Sequence, residues 1–337
     1  MTTLEDVASK AGVATSTASR ILSSSGDSYK FKESTREKVL RAADELGYMP
    51  NFAASALASG KTSIIAIVFP RVYDTPFTAL FVVQILAAIE EACNEYGYNV
   101  LLSAPRISQY QLAPNYRRLL LSGVVDAVIA NDDFRAASVL EPVRERNIPA
   151  VSLGYGPHEY FVRGDDLTGG AQLMQHVLEL GHRRIGIVGI PPGVHLAADQ
   201  RIAGLKSALI SSSLIFEELP RVDGDFSRES GMQATKTLLT QNPDLTAIIC
   251  LNDRMAMGAI KQAQRMGRTV PNDLTVVGYD DLPISAEFTP ALTTVNHGGQ
   301  EWGRAAVDMI IRQLNGEKPD PIIFPTKLVV RNSSAPV

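Results

Sequence analysis

The hydrophobic pattern changes rhythm near residue 60. Before that point apolar positions recur at helical spacing in short bursts, separated by turn residues. Leu4, Val7, Ala8 and Ala11 fall at i, i+3, i+4 and i+7, one face of a helix. Thr2 and Glu5 stand at capping-box spacing ahead of them, and Gly12 follows as a residue that tolerates positive φ. A second short helix is predicted over 15–22, with Ala18, Ile21 and Leu22 facing inward. Residues 23–26 read as a polar loop. Ser34 and Glu37 form a second capping box, before a third helix whose apolar side is Val39, Leu40, Ala43 and Leu46 and whose stop is Gly47. Pro50 breaks the chain, Asn51 is a good N-cap, and 52–58 reads as a short Ala-rich helix before Gly60.

After residue 60, short and nearly continuous apolar runs appear at 64–69, 100–103, 127–130, 150–153, 185–189, 247–251 and 274–278, as buried parallel strands require. Helical patterns separate most of them, at 83–96, 169–180 and 255–266 among others. Strand and helix in alternation predict βαβ units and parallel sheets. The stretch is too long for one ordinary doubly wound sheet, so two α/β lobes are expected.

Two short helices joined by a tight turn at Gly12 suggest a helix-turn-helix. Val7, Val13, Ala18 and Ile21 would form its core, and Thr15, Ser16 and Arg20 would project outward. Arg can hold a guanine edge through two parallel hydrogen bonds, and hydroxyls can reach bases or phosphates. A small helical cap with a solvated polar face is the competing reading. The charge does not favour either: residues 1–60 hold seven basic and seven acidic side chains, so the whole formal charge of -4 belongs to the remainder. Any attraction to a phosphate backbone must come from local placement of Arg20, Lys30, Lys32 and Arg36, and weak non-specific binding is expected.

The composition narrows the class further. Two cysteines, Cys93 and Cys250, exclude a disulfide framework and a four-Cys zinc site. No apolar run is long enough to span a membrane, and the start lacks a basic and apolar leader, so a cytoplasmic protein is expected. There is no phosphate-binding Gly-Lys-Ser/Thr loop, no Gly-x-Ser-x-Gly and no His-Glu-x-x-His, and the five histidines are scattered, so neither an enzyme nor a cofactor is expected. The pairs Asp132-Asp133, Asp165-Asp166 and Asp280-Asp281 read as turn and cap residues.

The run from Leu4 through Gly12-Val13 and Thr15-Ser16-Thr17-Ala18-Ser19-Arg20 to Leu22 resembles the DNA-binding head of the lactose-repressor (LacI/GalR) family. Glu45-Leu46-Gly47-Tyr48-Met49-Pro50-Asn51 is similar to that head's exit. The likeness continues in family order through Gly181-His182-Arg183-Arg184-Ile185-Gly186, Asn252-Asp253-Arg254-Met255-Ala256, Gly278-Tyr279-Asp280-Asp281, Pro290-Ala291-Leu292-Thr293-Thr294 and Arg331-Asn332-Ser333-Ser334.

That resemblance implies a helix-turn-helix head over 1–50, a hinge helix and linker over 51–61, and a core over 62–337 of two doubly wound parallel-sheet lobes, like those of periplasmic binding proteins. The first lobe would take about 62–160 and 291–320, the second about 161–290 and 321–337. It implies that Thr15, Ser16 and Arg20 read bases, that Thr17 and Ser19 touch phosphates, and that Asn51 opens a hinge helix whose Leu57 wedges into the minor groove. In the core it implies an effector site of Arg201, Asp280, Asn252, Phe226, Phe81 and Tyr155, suited to a sugar with a purine as the alternative, and with His195 and His297 as further candidates. The implied partners are pseudo-palindromic operator DNA, a small carbohydrate effector and a second copy of the chain. A solute-binding protein of the same two-lobe fold, without operator binding, is the rival. Three departures from the family pattern stand out: Ser55 where Arg is common, Ser23 where Asn is common, and a loop over 23–31 about three residues longer than usual. Lost cationic contact predicts modest affinity and a shallow salt dependence.

Overall fold

The computed structural model describes the chain except for residues 1, 23–30, 50, 52–53, 55, 57–59, 72–75, 109–110, 113, 135–137 and 211. The expected loop insertion, Ser55 and the Leu57 wedge therefore lie outside the described residues. The chain divides into two compact units, Met1–Ser63 and Ile64–Val337.

In the first unit three helices, α1 (Leu4–Ala11), α2 (Thr15–Leu22) and α3 (Glu33–Glu45), close on a small core. Val7, Ala8, Ala18, Ile21, Val39, Ala42 and Ala43 are buried, with Val13 packed at the edge. Gly12 takes the left-handed conformation, φ 67°, and lets Val13 N donate back to Ala8 O at 3.0 Å. Both expected caps are displaced. The box at α1 is Thr3 with Asp6: Thr3 N donates to Asp6 Oδ2 at 2.8 Å, and Asp6 N to Thr3 Oγ1 at 3.3 Å. Helix α1 starts at Leu4, so Thr3 is the cap, while Thr2 Oγ1 instead donates to Leu46 O at 3.0 Å and ties α1 to the end of α3. Helix α3 starts one residue before Ser34, which puts Ser34 inside the first turn and leaves Lys32 at the cap without a side-chain bond. Leu40, expected inside, is 46% exposed, and Ala42 takes its place against α1 and α2.

The second unit holds two parallel sheets. The first runs in the spatial order Ile322–Phe324, Phe161–Gly164, Ala150–Leu153, Ala127–Asn131, Ile64–Val68, Asn99–Ser103. Helices Leu80–Glu95 and Gly299–Leu314 cover one face, where Ile65, Ile67, Ile85, Ile89 and Ile310 are buried. Tyr116, Leu120, Val139 and Val143 fill the other. The second sheet runs Thr275–Val277, Ala247–Cys250, Ile185–Gly189, Arg221–Asp223 over its own core. All neighbours in both sheets are parallel, as the continuous apolar runs require.

The expected lobe limits need correction at two places. Phe161–Gly164 pairs with Ala150–Leu153 through Ser152↔Phe161 and Leu153↔Val162, and Ile322–Phe324 pairs with it in turn. Both segments thus belong to the first sheet, not the second lobe. Their runs are short and partly exposed, and only pairing reveals them. The chain passes between the lobes just after these strands. Asp165 Oδ1 caps the helix Asp166–Glu179 by accepting from Thr168 N at 3.1 Å. Thr294–Asn296 and Lys327–Val329 cross as an antiparallel pair. The C-terminal ends of both sets of strands thereby face a common cleft, where ligands of open α/β sheets bind.

Candidate functional site

The cleft holds a cavity of about 470 Å³. That is within the usual range for a small-molecule site. Arg201, Asp280, Asn252, Phe226 and Phe81 all line it, drawn together from segments up to two hundred residues apart. Tyr155 does not. Its hydroxyl donates to Gly164 O at 3.0 Å and accepts from Asp166 N at 3.2 Å, so it braces the interlobe crossing behind the cavity. His195 lines the cavity, and His297 is buried behind it, its ring 5.0 Å from that of Phe81.

Arg201 rises from the helix Leu196–Ala208 and is pinned on three sides. Its Nε donates to the fully buried Asp166 Oδ1 at 2.7 Å, and its Nη1 donates to Leu251 O at 2.6 Å and lies 3.6 Å from Asp280 Oδ1. Its Cζ sits 3.8 Å above the Tyr279 ring. Burial disfavours the charge, but Asp166 and Asp280 outweigh it and hold the guanidinium more firmly protonated than usual. Asp280 sits just beyond the strand Thr275–Val277 at φ 120°, and Asp281 follows at φ 53°. Asp281 is held by Arg331 Nη2 at 2.6 Å. Non-glycine residues rarely adopt such angles, and the strain is held where it aims a carboxylate at the cavity. Phe226 is similar, at φ 66°.

Asn252 is mostly spent on the scaffold. Its Oδ1 caps the helix Asp253–Arg265 through Met255 N at 2.9 Å, and its Nδ2 donates to Phe226 O at 3.1 Å. One N–H remains for a ligand. The polar wall therefore offers Arg201 as donor and Asp280 as acceptor, facing aromatic surface from Phe69, Phe81, Phe134 and Phe226. Charge-assisted bonds on one side and a flat apolar face on the other suit a polyhydroxylated ring.

Sequence reading missed Asn131, Phe134 and Arg254, which also line the cavity. Asn131 and Phe134 sit at the end of a strand that was recognised, and the rule that ligands bind beyond strand C-termini is the signal that finds them. Asp133, between them, faces His195: Oδ2 lies 3.4 Å from Nδ1. Burial pushes the Asp133 carboxyl up.

In the first unit the second helix presents Thr15, Ser16, Ser19 and Arg20 to solvent, with Thr17 half-buried. Ala18 and Ile21 anchor its other side. Asn51 Oδ1 accepts from Ala54 N at 3.4 Å, a long contact at the spacing of a helix cap. Among the described residues no group of three His, Cys, Asp or Glu is placed to hold a metal, and no helix is long and apolar enough to cross a membrane.

Fold and cavity together define a helix-turn-helix protein with a two-lobed ligand-binding core. Residues 3–51 match the family model of bacterial regulatory proteins, lacI family, and residues 174–334 match that of the periplasmic binding protein-like domain. The HTH-type transcriptional regulator CelR of Thermobifida fusca is 32% identical over 98% of each chain. DegA of Bacillus subtilis (strain 168), also an HTH-type transcriptional regulator, is 31% identical over 100% of this chain and 99% of its own. Among solved structures, a CelR–cellobiose complex is 31% identical at a TM-score of 0.72, covering 99% of this chain and 100% of that one. A lac repressor dimer bound to operator and the anti-inducer ONPF is 28% identical at a TM-score of 0.85, covering 99% of each. The chain belongs to the LacI family. It is a DNA-binding transcriptional regulator with a small-molecule effector.

Proposed function

We propose that this chain is a homodimeric repressor whose hold on a pseudo-palindromic operator is set by a carbohydrate bound between its lobes. The observation that carries the effector class is the pairing of Arg201 and Asp280 on one wall with four phenylalanines around them. A donor and an acceptor at 3.6 Å can satisfy neighbouring hydroxyls while the rings cover the C–H face. The cellobiose complex of CelR and the ribose-bound LacI family regulator from Enterococcus faecium support the same class.

In this reading residues 1–50 are the head, 51–61 the hinge and 62–337 the effector and dimer core. Arg20, Thr15 and Ser16 read bases, Thr17 and Ser19 hold phosphates, Asn51 caps the hinge helix and Leu57 is the minor-groove wedge. Arg201, Asp280, Asn252, Phe226 and Phe81 hold the effector. The protein works in the cytoplasm and catalyses no reaction. The effector must bind two lobe arrangements with unequal affinity, since equal affinity shifts nothing. A thermal-shift screen of the full chain against neutral mono- and disaccharides and nucleobases tests this. A sugar should raise the melting temperature, because it binds only the folded state. Stabilisation by nucleobases alone would overturn the carbohydrate assignment.

A further inference from the structure

The cavity is closed on one side by a contact between the lobes that involves neither Arg201 nor Asp280. Asp133 and Phe134 follow the strand Ala127–Asn131 of the first sheet, and His195 and Leu196 open the helix Leu196–Ala208 of the second lobe. The two segments meet as an isolated antiparallel bridge between Phe134 and His195, with Leu196 N donating to Asp133 O at 2.9 Å. The His195 ring meets Phe134 edge-on at 5.2 Å and Phe226 at 4.9 Å, and all three line the cavity.

The side chains add a polarity to this clasp. Asp133 is 4% exposed, and its Oδ1 is already occupied by Tyr155 N at 3.1 Å. Its Oδ2 lies 3.4 Å from His195 Nδ1. That nitrogen is buried and has no aligned hydrogen bond among the described residues. A carboxylate beside one ring nitrogen holds the proton there, and the other nitrogen then becomes an acceptor. Nδ1 faces Asp133, which leaves Nε2 as the ring nitrogen available to the cavity.

We propose that Asp133 is a positioning residue acting across the lobe interface: it fixes the tautomer and orientation of His195 and so creates a hydrogen-bond acceptor for a ligand hydroxyl only when the lobes are closed. Ligand reading and lobe closure are then one event, because the acceptor belongs to the second lobe and its orienting group to the first. This rests on the cavity being the effector site.

A double-mutant cycle in ligand affinity on the full-length protein tests it. The probe is the tightest binder from a panel of cellobiose, glucose, galactose and ribose, measured by calorimetry. His195→Phe keeps the ring's packing and removes the acceptor, and should weaken the probe roughly tenfold. Asp133→Ala should weaken it similarly in the wild-type background and add little to His195→Phe. Asp133→Asn, which keeps an acceptor beside Nδ1, should retain most of the affinity. An equal loss from Asp133→Ala in both backgrounds would assign Asp133 a purely structural role and overturn the proposal. Should Asp133→Ala fail to fold, the same cycle with Asp133→Leu, which also removes the acceptor beside Nδ1, gives the same discrimination. Absence of binding in the wild type, with Arg201→Met indistinguishable from it, would instead remove the cavity reading beneath the proposal, and the proposal with it.

Discussion

Arg201 Nε lies 2.7 Å from Asp166 Oδ1, and Asp166 has no solvent exposure. The guanidinium is thus fixed in place by the protein itself before any ligand arrives. Removing one member of a buried pair strands the other charge, which costs about 3–5 kcal/mol. Arg201→Met is expected to lose about that much stability in urea denaturation and all response to effector. Adding Asp166→Asn to it should recover a large part of the stability and none of the response. Equal stability of the single and double variants would show that the pair is not coupled.

Helices Asp166–Glu179 and Leu196–Ala208 pack so closely that a Cβ on Gly204 would lie 2.0 Å from Leu167 O and 2.7 Å from Ala171 N. Backbone cannot yield as a flexible side chain does. Gly204→Ala should cost about 3 kcal/mol, at the upper end of overpacking losses, and displace Arg201 three residues before it on the same helix. Thermal melting and effector titration read the two effects. A melting temperature within a degree of wild type would contradict the crossing described here.

The Thr3–Asp6 box is the cap of the reading unit's first helix, and Thr3→Ala is expected to cost about 1 kcal/mol there. Glu5→Ala, at the position the sequence pattern favoured, should cost far less. Hydrogen exchange over residues 4–11 in the full chain distinguishes the two.

Arg20 is exposed on the second helix and should act through base edges. Arg20→Ala should cost roughly 1–3 kcal/mol in operator affinity and flatten the preference among base substitutions at one position. Because the head carries no net positive charge, the salt dependence should be shallow. A slope corresponding to about eight or more phosphate contacts would contradict that expectation.

Burial pushes the Asp133 carboxyl above its usual 3.8. A carboxyl raised on folding contributes stability that is complete below its unfolded value and is lost as pH rises through its folded value. Asp133→Asn carries no such loss. The stability difference between the two proteins should therefore move in favour of Asp133→Asn from about pH 4 upward. A difference independent of pH would place Asp133 in a more polar setting than the one described.

How much of this could be read in the residues follows from the physics of each part. The strands Ala150–Leu153 and Ile185–Gly189 are fully buried, so their apolar runs matched their limits. Phe161–Gly164 and Arg221–Asp223 alternate or are partly exposed, and nothing local separates them from loops. Their place is set by neighbouring strands. The cap of α1 lies one residue from the expected one because Thr2 with Glu5 and Thr3 with Asp6 offer two equal spacings, and that of α3 lies two residues away, at Lys32 instead of Ser34. Arg201 and Asp280 were found through family order alone; no local pattern marks a buried arginine. Tyr155 sat close to the right place in sequence but faces the crossing, and which way a side chain points at a strand end depends on the partner segments. The Asp133–His195 contact joins residues 62 positions apart across two lobes, and only the folded chain shows it.

The most direct test of the account is fluorescence anisotropy of the full-length protein on a fragment of its own upstream region, with and without the sugar found by thermal shift. Saturable, salt-sensitive binding is expected, with an affinity that the sugar changes at least fivefold, the low end of ordinary allosteric coupling. The change should vanish in Arg201→Met while operator binding persists. Binding that is saturable but indifferent to every sugar, or no saturable binding at all, would contradict a carbohydrate-controlled repressor.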